Sequence, residues 1–353
     1  MDGRYQKIIE ELSADRVLVD EPMSKHTHIK IGGPADLYFE ASTREDLIKA
    51  VQLAVRLNIP LTVLGWASNT LVGDKGIRGL VIKNAYQEYE VLEELEVPEG
   101  EEKFEKADTR QVEWDEAKPY DFRDLDYVET GVPEVLVKVS SGYSLPAFIV
   151  KTLNEGITGL QWFAGIPGTI AGAVYNNIHG GKKLFGPYVK KATIVDGKTG
   201  EIREVEPDYF EFGYDKSAMH ANQDVLVDVT LRLRRGDAEK AKWVHTEWAR
   251  RKSVQPQNSL GCTFANPPME VTEKMGYPTP SVGYFVEHVL GWKDKKKIGG
   301  AGMGRGYGHA AFIVNDDGAT AKDYMDFVDL IKKEYEDRVG YELRPEVFFV
   351  GEF

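Results

Sequence analysis

The stretch Ser42–Pro60 (STREDLIKAVQLAVRLNIP) constrains the fold most. Leu47, Ile48, Val51, Ala54 and Val55 recur at helical spacing, Ser42 with Glu45 offers a capping box, and Asn58 and Pro60 stop the run. These features predict an amphipathic helix. Leu61–Leu64 then predicts a short apolar strand that runs directly into Gly65-Trp66-Ala67-Ser68-Asn69. A helix feeding a strand that ends in a loop of mostly small residues is αβ architecture.

The pattern restarts further along. Val135–Val139 alternates as a strand, and Leu145, Phe148, Ile149 and Leu153 mark a helix closed by Gly156. Gly165–Gly172 begins as a loop and leads into apolar Ala173-Val174-Tyr175. Ala192–Val195, the turn at Asp196-Gly197 and the alternation Val225–Leu233 predict a strand-rich middle region. Gly236-Asp237 opens a helix through Trp243, Val244 and Trp248 that ends near Gln255-Pro256. Thr320 with Asp323 forms a second capping box, Tyr324, Phe327, Val328, Ile331 and Tyr335 form one helix face, and Gly340 is its C-cap. A final strand is expected over Val347–Val350.

A chain of 353 residues exceeds what one core usually organises, so two or three domains are expected. The boundaries fall near Asn84, Glu129 and Gly236, dividing the chain into 1–84, 85–129, 130–235 and 236–353. The second piece is an acidic insertion. Glu88–Glu129 holds 17 acidic and 5 basic residues, which accounts for −12 of the chain's net −13. A solvated, solubilising segment is the plain reading, and no protein partner for it is indicated. With no clustered Lys and Arg to release counterions, a nucleic-acid partner is not expected. Cys262 is the sole cysteine, which excludes an internal disulfide and a cysteine-built metal site; no metal is expected. The first twenty residues lack the apolar core of a signal peptide and no run approaches a membrane span, so a cytoplasmic protein without membrane insertion is expected.

Glycine-rich loops after strands suit phosphate, because small residues let backbone N–H groups approach an anion. No G-x-x-x-x-G-K-[ST] occurs, and Gly299–Gly308 does not satisfy G-x-G-x-x-G. The segments Lys30–Asp36, Leu64–Val72 and Ala164–Ala173 nevertheless follow one another in a specific order. They are followed by Phe212-Gly213-Tyr214, Arg251 with Gln255-Pro256, Gly261–Pro267 and Leu343–Glu346. In order and spacing these motifs resemble the UDP-N-acetylenolpyruvoylglucosamine reductase family over nearly the whole chain apart from the acidic segment. With no extra substrate-domain insert before Gln255, the chain is similar to the compact subtype.

The resemblance implies an α+β chain with an FAD-binding fold of the vanillyl-alcohol oxidase type, built from two α/β subdomains, plus a C-terminal α+β substrate-binding domain. It implies reduction of UDP-N-acetylglucosamine enolpyruvate to UDP-N-acetylmuramate in peptidoglycan precursor synthesis, with FAD and NADPH as cofactors and a UDP-sugar nucleotide as substrate. Gly65, Trp66, Ala67, Ser68, Asn69 and Thr70, with Ile166, Pro167, Gly168, Thr169, Gly172 and Ala173, would hold the FAD. NADPH would give hydride to FAD, the reduced flavin would pass it to the enolpyruvyl β-carbon, and an acid would protonate the α-carbon.

Cys262 stands where the family keeps a serine donor, and a thiol of pKa about 8.5 can give up a proton. Glu346 stands at the family's carboxylate and would polarise or protonate the developing enolate. Tyr214, Asn266, Glu287 and His288 would contact substrate, Asn266 at its diphosphate. Asp215 stands where an arginine is expected near the substrate carboxylate, a charge reversal that leaves Lys216 or Arg251 as alternative cations. Further departures are Trp66 and Ala171 for glycines, Ala265 for a lysine, Ala311 for an asparagine after His309-Ala310, His288 for a glutamine, and a longer Gly302–Gly308 loop. Two other readings stay open: a flavin oxidoreductase with another substrate, and a catalytically impaired flavoprotein that binds a partner.

Overall fold

The computed structural model describes residues 2–97, 125–181, 183–304 and 310–353. Chain contacts divide it into two compact units. The first comprises Met1–Arg16, Glu40–Gly65 and Ile82–Ser253; the second comprises Val17–Phe39, Trp66–Val81 and Val254–Phe353. Both mix helices with strands, so the chain is α+β. Among the described residues no helix is long and apolar enough to cross a membrane.

The first unit is organised by a five-stranded antiparallel sheet in the order Ile202–Val205, Val189–Val195, Val225–Arg234, Glu134–Ser140, Tyr89–Leu95. Val135, Val137 and Val139 meet Leu145, Phe148, Ile149 and Leu153 of helix Leu145–Asn154 in its core. Ser144 caps that helix, and Gly156, at φ +73°, follows its end in the left-handed region that favours glycine. The strand expected from the alternation of Val225–Leu233 is present, and nearly the whole of it is buried. Asp228 is tolerated there because Thr193 Oγ1 donates to it at 2.8 Å and Arg44 and Lys138 approach it at 3.4 Å.

Helix Arg44–Arg56 begins one residue later than the Ser42 box implies. Thr43 is the cap, its hydroxyl accepting from the Asp46 N–H at 3.1 Å. Adjacent hydroxyls can both cap; the register that buries Leu47, Ile48, Ala50, Val51, Leu53 and Ala54 selects Thr43. The helix that opens at Asp237 runs over Ala238–Lys252 and lies inside the first unit, whose last residue is Ser253. Trp248 and Val244 on its buried face pack with Trp162, Ala164 and Leu125.

The acidic segment differs from a detachable insertion at both ends. Tyr89–Leu95 is an edge strand paired with Glu134–Ser140. Leu125 is 1% exposed, and its carbonyl accepts from Trp162 Nε1 at 3.1 Å. Glu129 is buried and accepts from the Tyr127 hydroxyl at 3.1 Å, which itself accepts from Gln161 Nε2 at 2.7 Å. Burial raises the Glu129 carboxyl above the ordinary range, opposed by hydrogen bonds from Thr158, Gln161 and Tyr127. Trp114, Tyr120 and Phe122 lie outside the described residues. Replacing all of Glu88–Glu129 by a linker is therefore expected to destabilise the protein strongly, since losing a buried leucine alone costs about 2–5 kcal/mol.

In the second unit Val17–Pro22 pairs antiparallel with Pro34–Ala41. A small antiparallel sheet of Lys297–Ile298, Ala301–Met303 and Ile313–Asn315 accompanies helix Ala321–Val339. That helix has the expected Thr320–Asp323 capping box and ends at Gly340 in the left-handed region, at φ +72°. Asp74 adds a second cap, accepting from the N–H groups of Ala321 and Lys322 at 2.8 and 2.9 Å. Tyr324, Phe327, Val328, Ile331 and Tyr335 all face the core with Phe264 and Phe285. The final strand, Phe348–Val350, pairs in parallel with Thr70–Val72.

Candidate active site

Strand Leu61–Leu64 delivers Gly65 at its end. A Cβ there would sit 2.6 Å from Thr169 Oγ1 and 2.9 Å from Thr169 Cγ2, so only glycine fits without displacing Thr169. Thr169 is the cap of the short helix Ile170–Tyr175, its hydroxyl accepting from the Gly172 N–H at 3.3 Å. Two other amides of this first turn are also used: Ile170 N–H donates to the Tyr143 carbonyl at 3.0 Å and Ala171 N–H to that of Ser141 at 2.8 Å. The donors with no protein acceptor among the described residues are the N–H groups of Gly168 and Thr169. A bridging pair of hydrogen bonds between Tyr143–Leu145 and Gly168–Ile170 fixes this part of the loop.

In the second unit the N–H groups of Trp66, Ala67 and Asn69 likewise have no acceptor among the described residues. Ala67 sits at φ +48°, and a left-handed residue within such a loop turns successive N–H groups to one side, as in an anion nest. Both loops thus carry spare backbone donors of the type a diphosphate requires, and the residues present fit FAD in that respect. Gly65→Val is expected to lower FAD retention roughly 10-fold or more, since overpacking costs about 1–3 kcal/mol. The ratio of flavin to protein absorbance after gel filtration measures it.

Three motifs converge within the second unit. Segment Gly261–Pro267 runs antiparallel beside Leu343–Glu346, with Phe264 bridged to Pro345, Ala265 N–H donating to the Arg344 carbonyl at 3.0 Å, and Glu346 N–H to the Thr263 carbonyl at 2.9 Å. Cys262, half-buried, is therefore next to the residue that holds the Glu346 backbone. Thr263 is fixed in turn by Ala311, whose carbonyl accepts its N–H at 3.0 Å, and by a 3.2 Å hydrogen bond with the buried Tyr324 hydroxyl. Asn69 closes the group: its Nδ2 donates to the Glu346 carbonyl at 3.1 Å, and its own carbonyl accepts from the Phe348 N–H at 3.0 Å.

The substrate-contact expectations are placed as follows. Asn266 Oδ1 accepts from the Val282 N–H at 3.1 Å, which leaves its Nδ2 without an acceptor among the described residues. The segment carrying Glu287 and His288 is a single α-turn, Val282–Tyr284, continued by a π-turn, Phe285–Val289. Glu287 is paired with Lys293 at 3.1 Å, and His288 is exposed, its ring centroid 4.7 Å from that of Tyr284. Residues 305–309, including most of the long glycine loop and His309, lie outside the described residues.

In the first unit Tyr214 and Asp215 sit on a tight turn closed by Gly213 and Lys216, whose backbones hydrogen-bond to each other at 2.9 and 3.4 Å. Lys216 is exposed, and its side chain has no ion pair among the described residues. Arg251 is buried with Glu247 3.7 Å from its Nε. The sequence reading missed His179, whose Nδ1 lies 3.0 Å from Asp215 Oδ1 and whose ring stacks on Tyr214 at 5.0 Å between centroids. No local pattern marks His179; its signal is the aspartate thirty-six positions away.

Residues 254–350 match the family model described as UDP-N-acetylenolpyruvoylglucosamine reductase, C-terminal domain. The UDP-N-acetylenolpyruvoylglucosamine reductase of Lachnoclostridium phytofermentans is 30% identical over 352 residues, covering 98% of this chain and 97% of the relative. The chain belongs to the UDP-N-acetylenolpyruvoylglucosamine reductase family. The Geobacillus kaustophilus member is 28% identical over 354 residues, covering 99% of this chain and 97% of its own. The crystal structure of the Thermus caldophilus reductase (MurB) has the same fold, with a TM-score of 0.65 at 24% identity, covering 95% of this chain and 98% of that one.

Proposed function

We propose that this chain is an FAD-dependent oxidoreductase that uses NADPH to reduce UDP-N-acetylglucosamine enolpyruvate to UDP-N-acetylmuramate, a cytoplasmic step of peptidoglycan precursor synthesis. The observation that carries this reading is the antiparallel pairing of the Cys262 segment with the Glu346 segment, tied to Asn69 of the glycine loop. A thiol and a carboxyl on neighbouring backbone positions are the acid groups that protonation of an enol-like carbon needs.

FAD, held in a fold of the vanillyl-alcohol oxidase type, would supply hydride originating from NADPH. Gly65 lets the backbone come close, and the N–H groups of Trp66, Ala67, Asn69, Gly168 and Thr169 would donate to the cofactor. Ser68, Thr70, Ile166, Pro167, Gly172 and Ala173 shape the same loops. Cys262 Sγ delivers a proton to the substrate α-carbon. Glu346 polarises the enolate that develops on the α-carbon and its carboxylate. Asn266 Nδ2 donates to the diphosphate, with Tyr214, Glu287 and His288 around the nucleotide; Lys216 is one candidate for the cation that Asp215 does not provide.

The test is a visible spectrum of the purified protein followed by anaerobic additions. The expected result is a flavin band that bleaches with NADPH and returns with the enolpyruvyl nucleotide. Bleaching without return would select a flavin oxidoreductase with another substrate. A flavin band that NADPH does not bleach would select a flavoprotein without this activity.

A further inference from the structure

The aspartate at the position of the missing arginine is not a loose surface carboxylate. Asn177, 1% exposed, donates from Nδ2 to the Gly213 carbonyl at 2.7 Å and accepts on Oδ1 from the Gly186 N–H at 2.6 Å. Ser217 Oγ donates to the Tyr175 carbonyl at 2.6 Å. The Gly213–Lys216 turn is therefore anchored on both sides to the segment that follows helix Ile170–Tyr175, and that segment carries His179. Asp215 adopts φ +48°, a conformation uncommon for a residue with a side chain, and in it reaches His179. Tyr214 stacks on the same ring with an interplanar angle of 24°. One imidazole nitrogen is thus committed to a carboxylate and one face to an aromatic ring. Nε2 has no partner among the described residues, and 40% of the side chain stays accessible.

We propose that His179, oriented by Asp215 and covered by Tyr214, binds a negatively charged oxygen of the substrate through Nε2–H. The inference rests on the reading above, in which the substrate carries a carboxylate and a diphosphate. Asp215 is a positioning residue: accepting from Nδ1–H, it fixes the ring so that a protonated imidazole presents its second N–H outward. The charge reversal at position 215 is then compensated by a cation elsewhere in sequence but adjacent in space.

Asp215 faces Nδ1, and Lys216 and His220 belong to the same turn region. Burial lowers His220 below the ordinary imidazole range, opposed by the hydrogen bond His220 donates to the Tyr175 backbone, helped by the Lys216 charge and opposed by the Asp215 charge. Lys183, on the strand paired with His179-Gly180, is turned toward Asp126 at 3.3 Å and the Trp162 ring at 4.8 Å.

Steady-state kinetics of the flavin-loaded enzyme test the proposal. His179→Gln is expected to raise the KM for the enolpyruvyl nucleotide roughly 10-fold, as for a lost charge-assisted hydrogen bond, with kcat and NADPH-driven bleaching little changed. His179→Arg, which keeps an N–H donor and a positive charge, should retain a low KM. Asp215→Asn should raise KM in the wild-type background and have no further effect beside His179→Gln. A His179→Gln enzyme with the wild-type KM overturns the proposal, as does a KM rise produced by Lys216→Ala alone. If wild-type flavin bleaches with NADPH but never reoxidises with the enolpyruvyl nucleotide, the proposed function itself has failed; if it reoxidises and the His179 variants do not differ, only this inference has.

Discussion

Cys262→Ala is expected to separate the two half-reactions of the enzyme. Bleaching of the flavin by NADPH should proceed at nearly the wild-type rate, because the thiol takes no part in that transfer. Reoxidation by the enolpyruvyl nucleotide should slow by roughly 100-fold or more, the range of a lost general acid. The segment is held by backbone hydrogen bonds of Thr263, Ala265 and Glu346, none of which involves the Cys262 side chain, so the neighbouring geometry should survive. Stopped-flow absorbance of each half-reaction measures the effect. Cys262→Ser should retain substantial activity, since a hydroxyl in the same place can also give a proton, and alkylation of this single thiol should abolish reoxidation. Reoxidation of the alanine variant at the wild-type rate would reduce Cys262 to packing and leave the proton to Glu346 or water.

Glu346→Gln should lower turnover by about 100-fold or more with little change in flavin content or thermal midpoint. Glutamine keeps the shape of the side chain but cannot release a proton or carry the charge. The backbone of residue 346 does the structural work here: its N–H binds Thr263 and its carbonyl binds Asn69. Those contacts persist in the variant, which separates a chemical role from an architectural one. Single-turnover reoxidation, compared with the KM for the nucleotide, decides between them. A variant with unaltered turnover would make Glu346 a solvent-facing carboxylate beside a strand.

Much of the fold was legible locally. The apolar faces of the helices at Arg44–Arg56, Leu145–Asn154 and Ala321–Val339, the Thr320–Asp323 box and the Gly340 cap all follow from spacing along the chain. The strands at Leu61–Leu64 and Glu134–Ser140 were equally visible. The order of the motifs was legible for the same reason, since each is a short run of residues whose backbone needs are local. The burial of Asp228 was not: only the partners Thr193, Arg44 and Lys138 explain why a carboxylate can be buried there.

What the sequence by itself determined is therefore the set of elements and the family to which their motifs point. What only the tertiary structure decided is which distant residues become neighbours. Cys262 and Glu346 are brought together by a backbone ladder, which any side chains could form and which leaves no periodic trace. The ends of the acidic segment looked expendable because charge dominated them, yet Tyr89–Leu95 completes a sheet and Leu125 fills a core position. Asp215 read as a repulsive departure until the fold supplied His179 as its partner. Periodicity and capping act within a few residues and are written along the chain; strand register, burial and charge pairing depend on segments far apart in it, so they exist only once the chain has folded.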